Sequence, residues 1–299
     1  MARIVIILLQ INILALLSCT GPKKAMRSLT NDIQTELAKQ KGVFAVAFKN
    51  LETGEELAIN DRVSFHAAST MKTPVMIEVY KQVAEGKISL SDSIVLKNEF
   101  KSIADGSSYS LDSTDDSETE LYKHIGGKRT VAALVYDMII VSSNLATNII
   151  IELAGAKKVT ATMRSYGAND IQVLRGVEDN KAYEKGLNNT TTAHDLLLIF
   201  EKIAKGEAVN PNASEAMIKI LLDQRFNEII PAQLPAGVKV AHKTGSITGV
   251  NHDSGIIFLP DGRKYVLVLL SKNVEDKEAA IKAMANVSAM IYRHVTANK

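Results

Sequence analysis

The chain has 299 residues, enough for one large domain or two small ones, and its 46% hydrophobic residues allow a sizeable core. The 35 Lys and Arg nearly balance the 33 Asp and Glu, and aromatic residues make up only 5%. This composition lacks the basic surface that nucleic-acid binding requires and the ring platforms of carbohydrate or base-stacking sites. We therefore expect a small-molecule partner and no nucleic acid.

The first 18 residues are predicted to form an export signal. An apolar run over residues 4–17 follows Arg3 and is too short to span a bilayer comfortably. It ends in the sequence Leu-Leu-Ser-Cys, which resembles a bacterial lipobox, and Cys19 is the only cysteine in the chain. The alternative is an ordinary cleaved signal with an incidental cysteine. One cysteine allows no intrachain disulfide, so stability must come from packing. We expect a monomer that is exported to the periplasm and lipid-anchored through Cys19.

Along the chain, strand patterns at both ends flank a helical middle. After a polar linker over residues 20–24, helical spacing covers residues 28–41, and strands follow over residues 43–49 and up to residue 59. Helical patterns then cover residues 71–84, 131–141, 145–154, 193–204 and 213–222. Strand patterns return over residues 238–242, 255–259 and 265–271, the last two joined by a Pro-Asp-Gly turn, and an amphipathic helix covers residues 279–295.

This order predicts a two-lobed α/β fold. The early and late strands can pair in one antiparallel sheet only if the helical middle is an inserted lobe. We expect one catalytic domain over residues 24–299, with an α/β lobe of residues 24–66 plus 236–299 and an all-α lobe of residues 67–235. The terminal helices would cover the sheet, and a ligand cleft is expected between the lobes.

No metal or cofactor site is expected. The acidic stretch over residues 112–120 contains no His or Cys, so it is predicted to be a solvated loop. The six His form no metal-ligand pair, and the chain has no multi-cysteine set and no glycine-rich phosphate loop. His252 and Asp253 suggest a Ser-His-Asp arrangement, but their spacing favours a polar pair at a strand end.

The sequence Ser-Thr-Met-Lys at residues 69–72 is the only Ser-x-x-Lys in the chain. An apolar periodic run follows it, so Ser69 is predicted at a helix start, with Lys72 one turn later on the same face. Pro74 is tolerated there because first-turn amides lack intrahelical partners. A desolvated lysine of lowered pKa can take the proton of a serine hydroxyl, and free amides at a helix start can stabilise an oxyanion. Ser69 and Lys72 are therefore candidate catalytic residues.

Two further short patterns complete a set of three. Ser-Ser-Asn at residues 142–144 falls in a break between helical runs, and Lys-Thr-Gly-Ser at residues 243–246 lies on the first late strand. Gly245 permits close backbone approach by a substrate. Each pattern alone is weak, but the three in this order match the Ser-x-x-Lys, Ser-x-Asn and Lys-Thr-Gly set of penicillin-recognising enzymes.

From about residue 26 to residue 295 the chain resembles the class A β-lactamases, most closely over residues 65–72, 138–148 and 242–246. The resemblance implies a serine hydrolase that opens a β-lactam ring through an acyl-enzyme, without metal or cofactor. It implies Ser69 as nucleophile, Lys72 as its base or proton relay, and Ser142 as a relay to the β-lactam nitrogen. Asn144 would bind the substrate amide, and Lys243 and Thr244, beside Gly245, would bind its carboxylate. The backbone amides of Ser69 and Ser246 would form the oxyanion hole.

The chain departs from the family at three places. Ser143 replaces the usual Asp between Ser and Asn. The family's deacylating Glu in the Ω-loop has two candidates here. Glu184 matches the Glu-x-x-Leu-Asn spacing, but we favour Glu178, because Arg-Gly-Val-Glu at residues 175–178 resembles the opening of that loop. The alternative is that neither residue is the base. No Arg lies about ten positions after Lys243, where many members carry a carboxylate ligand, and Arg225 is a candidate substitute.

Two alternatives to a β-lactamase remain at this point. The first is a related acyl-serine hydrolase or peptidase that acts on another amide or ester, such as a cell-wall peptide. The second is a penicillin-binding protein that becomes acylated and deacylates slowly. Both keep the three motifs, so deacylation is the step that separates them from a β-lactamase.

Overall fold

The computed structural model describes residues 20–297, so the predicted export signal and Cys19 lie outside the described residues. Within this part of the chain, no helix is long and apolar enough to cross a membrane. The helices are α1 (Thr20–Leu37), α2 (Lys72–Ala84), α3 (Val131–Ile140), α4 (Asn144–Ala154), α5 (Ala156–Ser165), α6 (Asn180–Glu184), α7 (Ala193–Ala204), α8 (Pro211–Leu222) and α9 (Lys277–Ala297). The strands are β1 (Val43–Asn50), β2 (Glu56–Ile59), β3 (Phe65–His66), β4 (Ser93–Val95), β5 (Phe100–Lys101), β6 (Ser108–Tyr109), β7 (Lys128–Thr130), β8 (Thr190–Thr191), β9 (Lys239–Ile247), β10 (Val250–Phe258) and β11 (Lys264–Lys272).

Five long strands form one antiparallel sheet in the order β2-β1-β11-β10-β9. Strand β1 pairs with β11 so that Val46 lies opposite Leu269, and β10 pairs with β9 so that Asp253 lies opposite Thr244. The first and last parts of the chain therefore meet in the middle of the sheet. The predicted fold class, an antiparallel sheet with terminal helices and a helical lobe, is confirmed.

The two faces of the sheet are covered by different helices, because successive side chains of a strand point to opposite faces. On β1, Phe44, Val46 and Phe48 belong to the core formed with α1 and α9. The alternate residues Ala45 and Ala47 belong to the core of the helical lobe, where α7 packs on β1, β10 and β11. Small side chains on that face let α7 approach the sheet closely.

Helix α2 lies at the centre of the helical lobe and contacts α3, α4, α5 and α8. It is buried on nearly all sides; Val75, Met76, Ile77 and Val79 are fully buried. Its buried polar side chains Glu78 and Gln82 are hydrogen-bonded to each other, so the whole helix can be enclosed by other elements. Because α2 begins at Lys72, this packing fixes the position of that lysine.

The structure differs from the sequence-based elements in several places. Helix α1 begins at Thr20, where a linker was predicted. Helices α5 and α6 were missed because α5 carries few large apolar residues and α6 has only five residues. Strand β10 begins at Val250, five residues before the prediction, because the polar residues at positions 251–254 are buried in the sheet.

Candidate active site

Ser69 lies in a 3₁₀ turn, Ala68–Met71, that leads directly into α2. The turn is held by the Nδ1 atom of His66, which accepts a hydrogen bond from the Ala68 amide at 3.0 Å. Ala68 has a φ of 44°, in the left-handed region that a non-glycine residue rarely adopts. A Cβ on Gly245 would lie 3.0 Å from the Ser69 nitrogen, so glycine lets β9 pack directly against this turn.

The Lys72 ammonium is completely buried and has three oxygen acceptors. Its Nζ donates to the Ser142 carbonyl at 2.7 Å, the Ser142 Oγ at 3.1 Å and the Asn144 Oδ1 at 3.1 Å. Burial lowers the pKa of Lys72 to about 7, while the nearby carboxylates of Asp116 and Glu178 act to raise it. Lys72 is therefore populated both charged and neutral near pH 7.

The Ser142 hydroxyl lies between two buried lysines. Its Oγ accepts from Lys72 and also from the Lys243 Nζ at 3.1 Å, and Lys243 donates further to the Thr244 carbonyl at 2.9 Å. Burial and then the charge of Lys72 hold the pKa of Lys243 well below its ordinary value, while Asp253 raises it. Ser142 has a φ of 57°, so the backbone that presents this hydroxyl is strained. Two lysine side chains thus donate to one hydroxyl group.

Glu178 is joined to the same cluster through Asn144. The Asn144 Nδ2 donates to the Glu178 Oε1 at 2.7 Å, while the Oδ1 of the same amide accepts from Lys72. Burial raises the pKa of Glu178, and the hydrogen bond from Asn144 opposes that shift. Glu178 also has a positive φ of 60°. Asn144 therefore connects the buried ammonium and the half-buried carboxyl group.

Helix α4 holds the loop segment in front of Glu178. The Asn148 Oδ1 accepts from the Val177 amide at 2.6 Å, and its Nδ2 donates to the Val177 carbonyl at 3.1 Å. A Cβ on Gly176 would overlap the Asn148 Oδ1, so only glycine fits this approach of the loop to the helix. These contacts set the direction in which Glu178 points.

The second loop carboxylate, Glu184, lies elsewhere. It ends α6, is exposed and does not line the cleft, whereas Glu178 does. The Leu and Asn of the Glu-x-x-Leu-Asn segment have a structural role instead. The buried Arg175 donates from Nε to the Leu187 carbonyl and from Nη2 to the Asn188 Oδ1. Arg175 thus ties the two ends of the loop together.

Ser69 lies where two cavities meet, one of about 440 Å³ and one of about 340 Å³. Ser69, Asn144 and Ser246 line both cavities. Residues that line only the larger cavity include Ser142, Thr244, Gly245, Phe226, Glu228 and Lys277. Residues that line only the smaller cavity include His66, Glu178, Tyr183, Ile247 and Thr248. A hydroxyl and a carboxyl group therefore approach Ser69 from opposite sides.

The cations of the larger cavity differ from the expected ones. Lys243 is fully buried behind Ser142 and is not part of the cavity wall. Arg225 is exposed and does not line the cavity either, so its suggested place as a carboxylate ligand is not supported by its position. Lys277, in the first turn of α9, does line it. The sequence held no signal for Lys277, because no motif surrounds it and α9 is distant in the chain.

Neither His252 nor Asp253 forms a triad with Ser69. The Asp253 Oδ1 lies 2.8 Å from the Nδ1 of His242, and the Nε2 of His252 lies 2.9 Å from the His66 carbonyl. Burial lowers the pKa of His252 to about 4, which keeps it neutral. The His242–Asp253 pair instead connects β9 to β10 next to Lys243.

The prediction of a wholly solvated acidic loop over residues 112–120 is wrong at one position. Asp112, Asp115 and Glu120 are exposed, but Asp116 is only 6% exposed. Its carboxylate accepts hydrogen bonds from the first amides of α4, which is where a helix stabilises a negative charge. Among residues 20–297, no group of three or more potential metal ligands is present, in this loop or outside it.

Comparison with known proteins identifies the family. Residues 28–295 match the model of the β-lactamase enzyme family, so the chain belongs to that family. A β-lactamase of Bacteroides uniformis is 26% identical over 297 residues, which cover 94% of this chain and 97% of the relative. The β-lactamase VEB-1 of Pseudomonas aeruginosa is 23% identical and covers 89% of this chain and 90% of its own length.

Solved structures share the fold. A mutant of PBP-A, in an acyl-enzyme complex with penicillin G, is 27% identical and superposes with a TM-score of 0.79, covering 91% of this chain and 97% of its own. A β-lactamase from Sphaerobacter thermophilus is 26% identical with a TM-score of 0.77, covering 92% and 98%. Both superpositions extend over the sheet and the helical lobe together.

Proposed function

We propose that the protein is a serine β-lactamase that hydrolyses the β-lactam amide through an acyl-Ser69 intermediate. The observation that carries the proposal is the Asn144 amide, which bonds the buried Lys72 on one side and Glu178 on the other, beside Ser69. This arrangement supplies one proton acceptor for acylation and a second for deacylation. Membership of the β-lactamase family and the names of the relatives support the same activity.

In the acylation step, neutral Lys72 takes the proton of the Ser69 hydroxyl as Oγ attacks the carbonyl carbon. The amides of Ser69 and Ser246 stabilise the oxyanion. When the C–N bond breaks, the Ser142 hydroxyl gives its proton to the ring nitrogen, and Lys72 returns a proton to Ser142. The hydrogen bonds from Lys72 and Lys243 to Ser142 support this relay.

In the deacylation step, ionised Glu178 takes a proton from a water molecule that attacks the acyl ester. As the ester C–O bond breaks, Glu178 gives that proton to the Ser69 Oγ, and the open-ring acid leaves. Burial raises the pKa of Glu178, and a carboxylate of raised pKa is a better acceptor near neutral pH. The position of Glu178 in the smaller cavity supports this role over the exposed Glu184.

Substrate binding is assigned to residues around the cleft. Asn144 binds the side-chain amide of the substrate, Thr244 binds the carboxylate, and Gly245 lets the substrate lie along β9. Lys243 acts on that carboxylate from behind Ser142 through its charge, and Lys277 supplies a cation on the cavity wall. The same wall also carries the carboxyl groups of Asp115 and Glu228, so the carboxylate of the substrate is assigned to the Thr244 side of the cavity. Amide hydrolysis by this route uses only water, so we propose no metal or cofactor.

The residues that surround this cleft form one catalytic domain over residues 24–299. We assign residues 24–66 plus 236–299 to the α/β lobe and residues 67–235 to the inserted helical lobe. The assignment is supported by the large sheet, whose strands all lie within residues 43–59 and 239–272. We also propose that the active form is a monomer.

A slowly deacylating penicillin-binding protein is the second candidate. The observation that favours it is the similarity to PBP-A, a mutant of which is solved as a penicillin G acyl-enzyme. A related hydrolase or peptidase of cell-wall peptides has the same acylating groups. The rate at which acyl-Ser69 is released distinguishes these candidates from a β-lactamase.

Export to the periplasm and a lipid anchor at Cys19 are part of the proposal. They are supported by the apolar run and the Leu-Leu-Ser-Cys sequence at its end. After expression in a bacterium, wild-type protein should sediment with membranes, and Cys19→Ala should appear in the soluble fraction or remain an uncleaved precursor. Wild-type protein found entirely in the soluble periplasm would leave only an ordinary export signal.

The nucleophile is tested by Ser69→Ala. Wild-type protein mixed with a chromogenic cephalosporin should show a covalent adduct by mass spectrometry and steady turnover, and Ser69→Ala should show neither, because no oxygen remains at position 69. Circular dichroism should show an unchanged fold. An adduct of equal yield in Ser69→Ala would exclude the acyl-Ser69 mechanism.

The proton acceptor of acylation is tested by the pH profile. Because only neutral Lys72 accepts a proton and its pKa is about 7, the acylation rate should be about a hundredfold lower at pH 5 than above pH 8. Single-turnover stopped-flow with wild-type enzyme in excess measures this step and keeps the Glu178 charge that acts on Lys72. Lys72→Ala should be slower by orders of magnitude and lack this rise. A flat profile from pH 5 to 8 would assign the acceptor to another group.

The deacylating base is tested by a matched pair of variants. Glu178→Gln should give a stoichiometric burst and then turnover reduced by about 10²–10⁴-fold, because the amide cannot take a proton from water. Glu184→Gln should turn over like wild type, because its side chain is exposed. The reverse pattern would assign the base to Glu184. Normal turnover in both variants would show that neither glutamate is the base. A burst without turnover in wild type would favour the penicillin-binding protein.

A further inference from the structure

The start of α4 is held by a carboxylate that lies 28 residues earlier in the chain. The Asp116 Oδ2 accepts from the Asn144 amide at 2.8 Å, the Leu145 amide at 2.9 Å and the Tyr122 hydroxyl at 2.9 Å. Its Oδ1 accepts from the Glu118 amide at 3.1 Å. The Ser143 hydroxyl is a fifth donor, at 3.5 Å from Oδ2, and a carboxylate that is 6% exposed with five donors is a fixed part of the structure.

Asn144 connects Asp116 directly to Lys72 and Glu178. Asn144 is the first residue of α4, and its side chain bonds both Lys72 and Glu178. First-turn amides have no partner within the helix, so an outside acceptor decides how they are oriented. Ser143, the N-cap, supplies only a hydroxyl, which bonds the Ala146 amide at 3.2 Å. The charge at this helix end therefore comes from Asp116.

We propose that Asp116 is a positioning residue of the active site, which fixes Asn144 through the amides of α4 and places a negative charge near the Lys72 ammonium. In this role it supplies the carboxylate that position 143 lacks, from a separate loop. The Ser143 Oγ lies 3.5 Å from the Asp116 Oδ2, so the two positions adjoin the same space. The catalytic part of the proposal rests on the proposed acyl-Ser69 mechanism.

Three charged groups face Lys72 from the elements around it: Asp116 from the acidic loop, Glu178 from the loop before α6, and Lys243 from β9. The two carboxylates favour the charged lysine and therefore raise its pKa. Removing the charge of Asp116 removes one of them, so the pKa of Lys72 falls. Neutral Lys72 then forms at lower pH, and the rise of acylation with pH must move to lower pH.

Asp116→Asn tests this effect, because asparagine keeps one acceptor oxygen and loses the charge. Stopped-flow acylation should show the rise displaced to lower pH and a maximal rate reduced about tenfold, since Asn144 is less firmly oriented. Glu120→Gln, an exposed carboxylate of the same loop paired with Lys123, should leave both unchanged. A lower rate with an unmoved pH midpoint would show a purely structural role and overturn the proposal.

A double-mutant cycle with Ser143→Asp tests the shared space without any substrate. In wild type, Ser143→Asp places a second carboxylate beside Asp116, so repulsion should lower Tm by about 5 °C. In Asp116→Asn, the same substitution supplies the missing acceptor and should raise Tm, or restore folding if Asp116→Asn alone does not fold. Additive effects of the two substitutions would overturn the proposal. If wild type is not acylated, the proposed function is refuted. The Tm values of the cycle would still test whether residues 116 and 143 share one carboxylate site.

Discussion

The burial of the Lys72 ammonium is the constraint on which the site depends. Burying a cation costs free energy unless oxygen acceptors surround it. Lys72, at the start of α2, receives these acceptors from another segment of the chain. Three oxygens, all from residues 142 and 144, supply that shell. The loop between α3 and α4 is therefore shaped around one lysine, and the central helix that carries Lys72 is packed on all sides so that the lysine cannot move away.

The rest of the cleft is arranged around this cluster. The sheet brings β9 against the Ser69 turn because Gly245 leaves room for it. The helical lobe presents Ser142 and Asn144 from one side, and Asn148 holds the loop that carries Glu178. These groups come from both lobes, so the site exists only when the lobes are packed together. Activity and global folding are thus closely linked in this chain.

The sequence predicted the sheet, most long helices and the residues brought together around Ser69, because apolar periodicity and three short motifs carry that information. It did not predict Asp116, since an acidic residue in a stretch of acidic residues looks solvated and only the tertiary structure places it under α4. Strand β10 was predicted too short for a similar reason: its buried polar residues 251–254 are satisfied by partners distant in the chain. Periodicity detects apolar burial but not paired polar burial.

The Asn144 side chain has a consequence for how protons travel in the cleft. It touches both Lys72 and Glu178, yet a carboxamide neither gains nor loses a proton in ordinary water, so it cannot pass one between them. The amide dipole acts on both Lys72 and Glu178, but a proton can pass between these two groups only through the serine hydroxyls or through solvent. In the proposed mechanism Lys72 therefore gains and returns its proton within acylation, and Glu178 does so within deacylation, so both groups are reset once in every turnover.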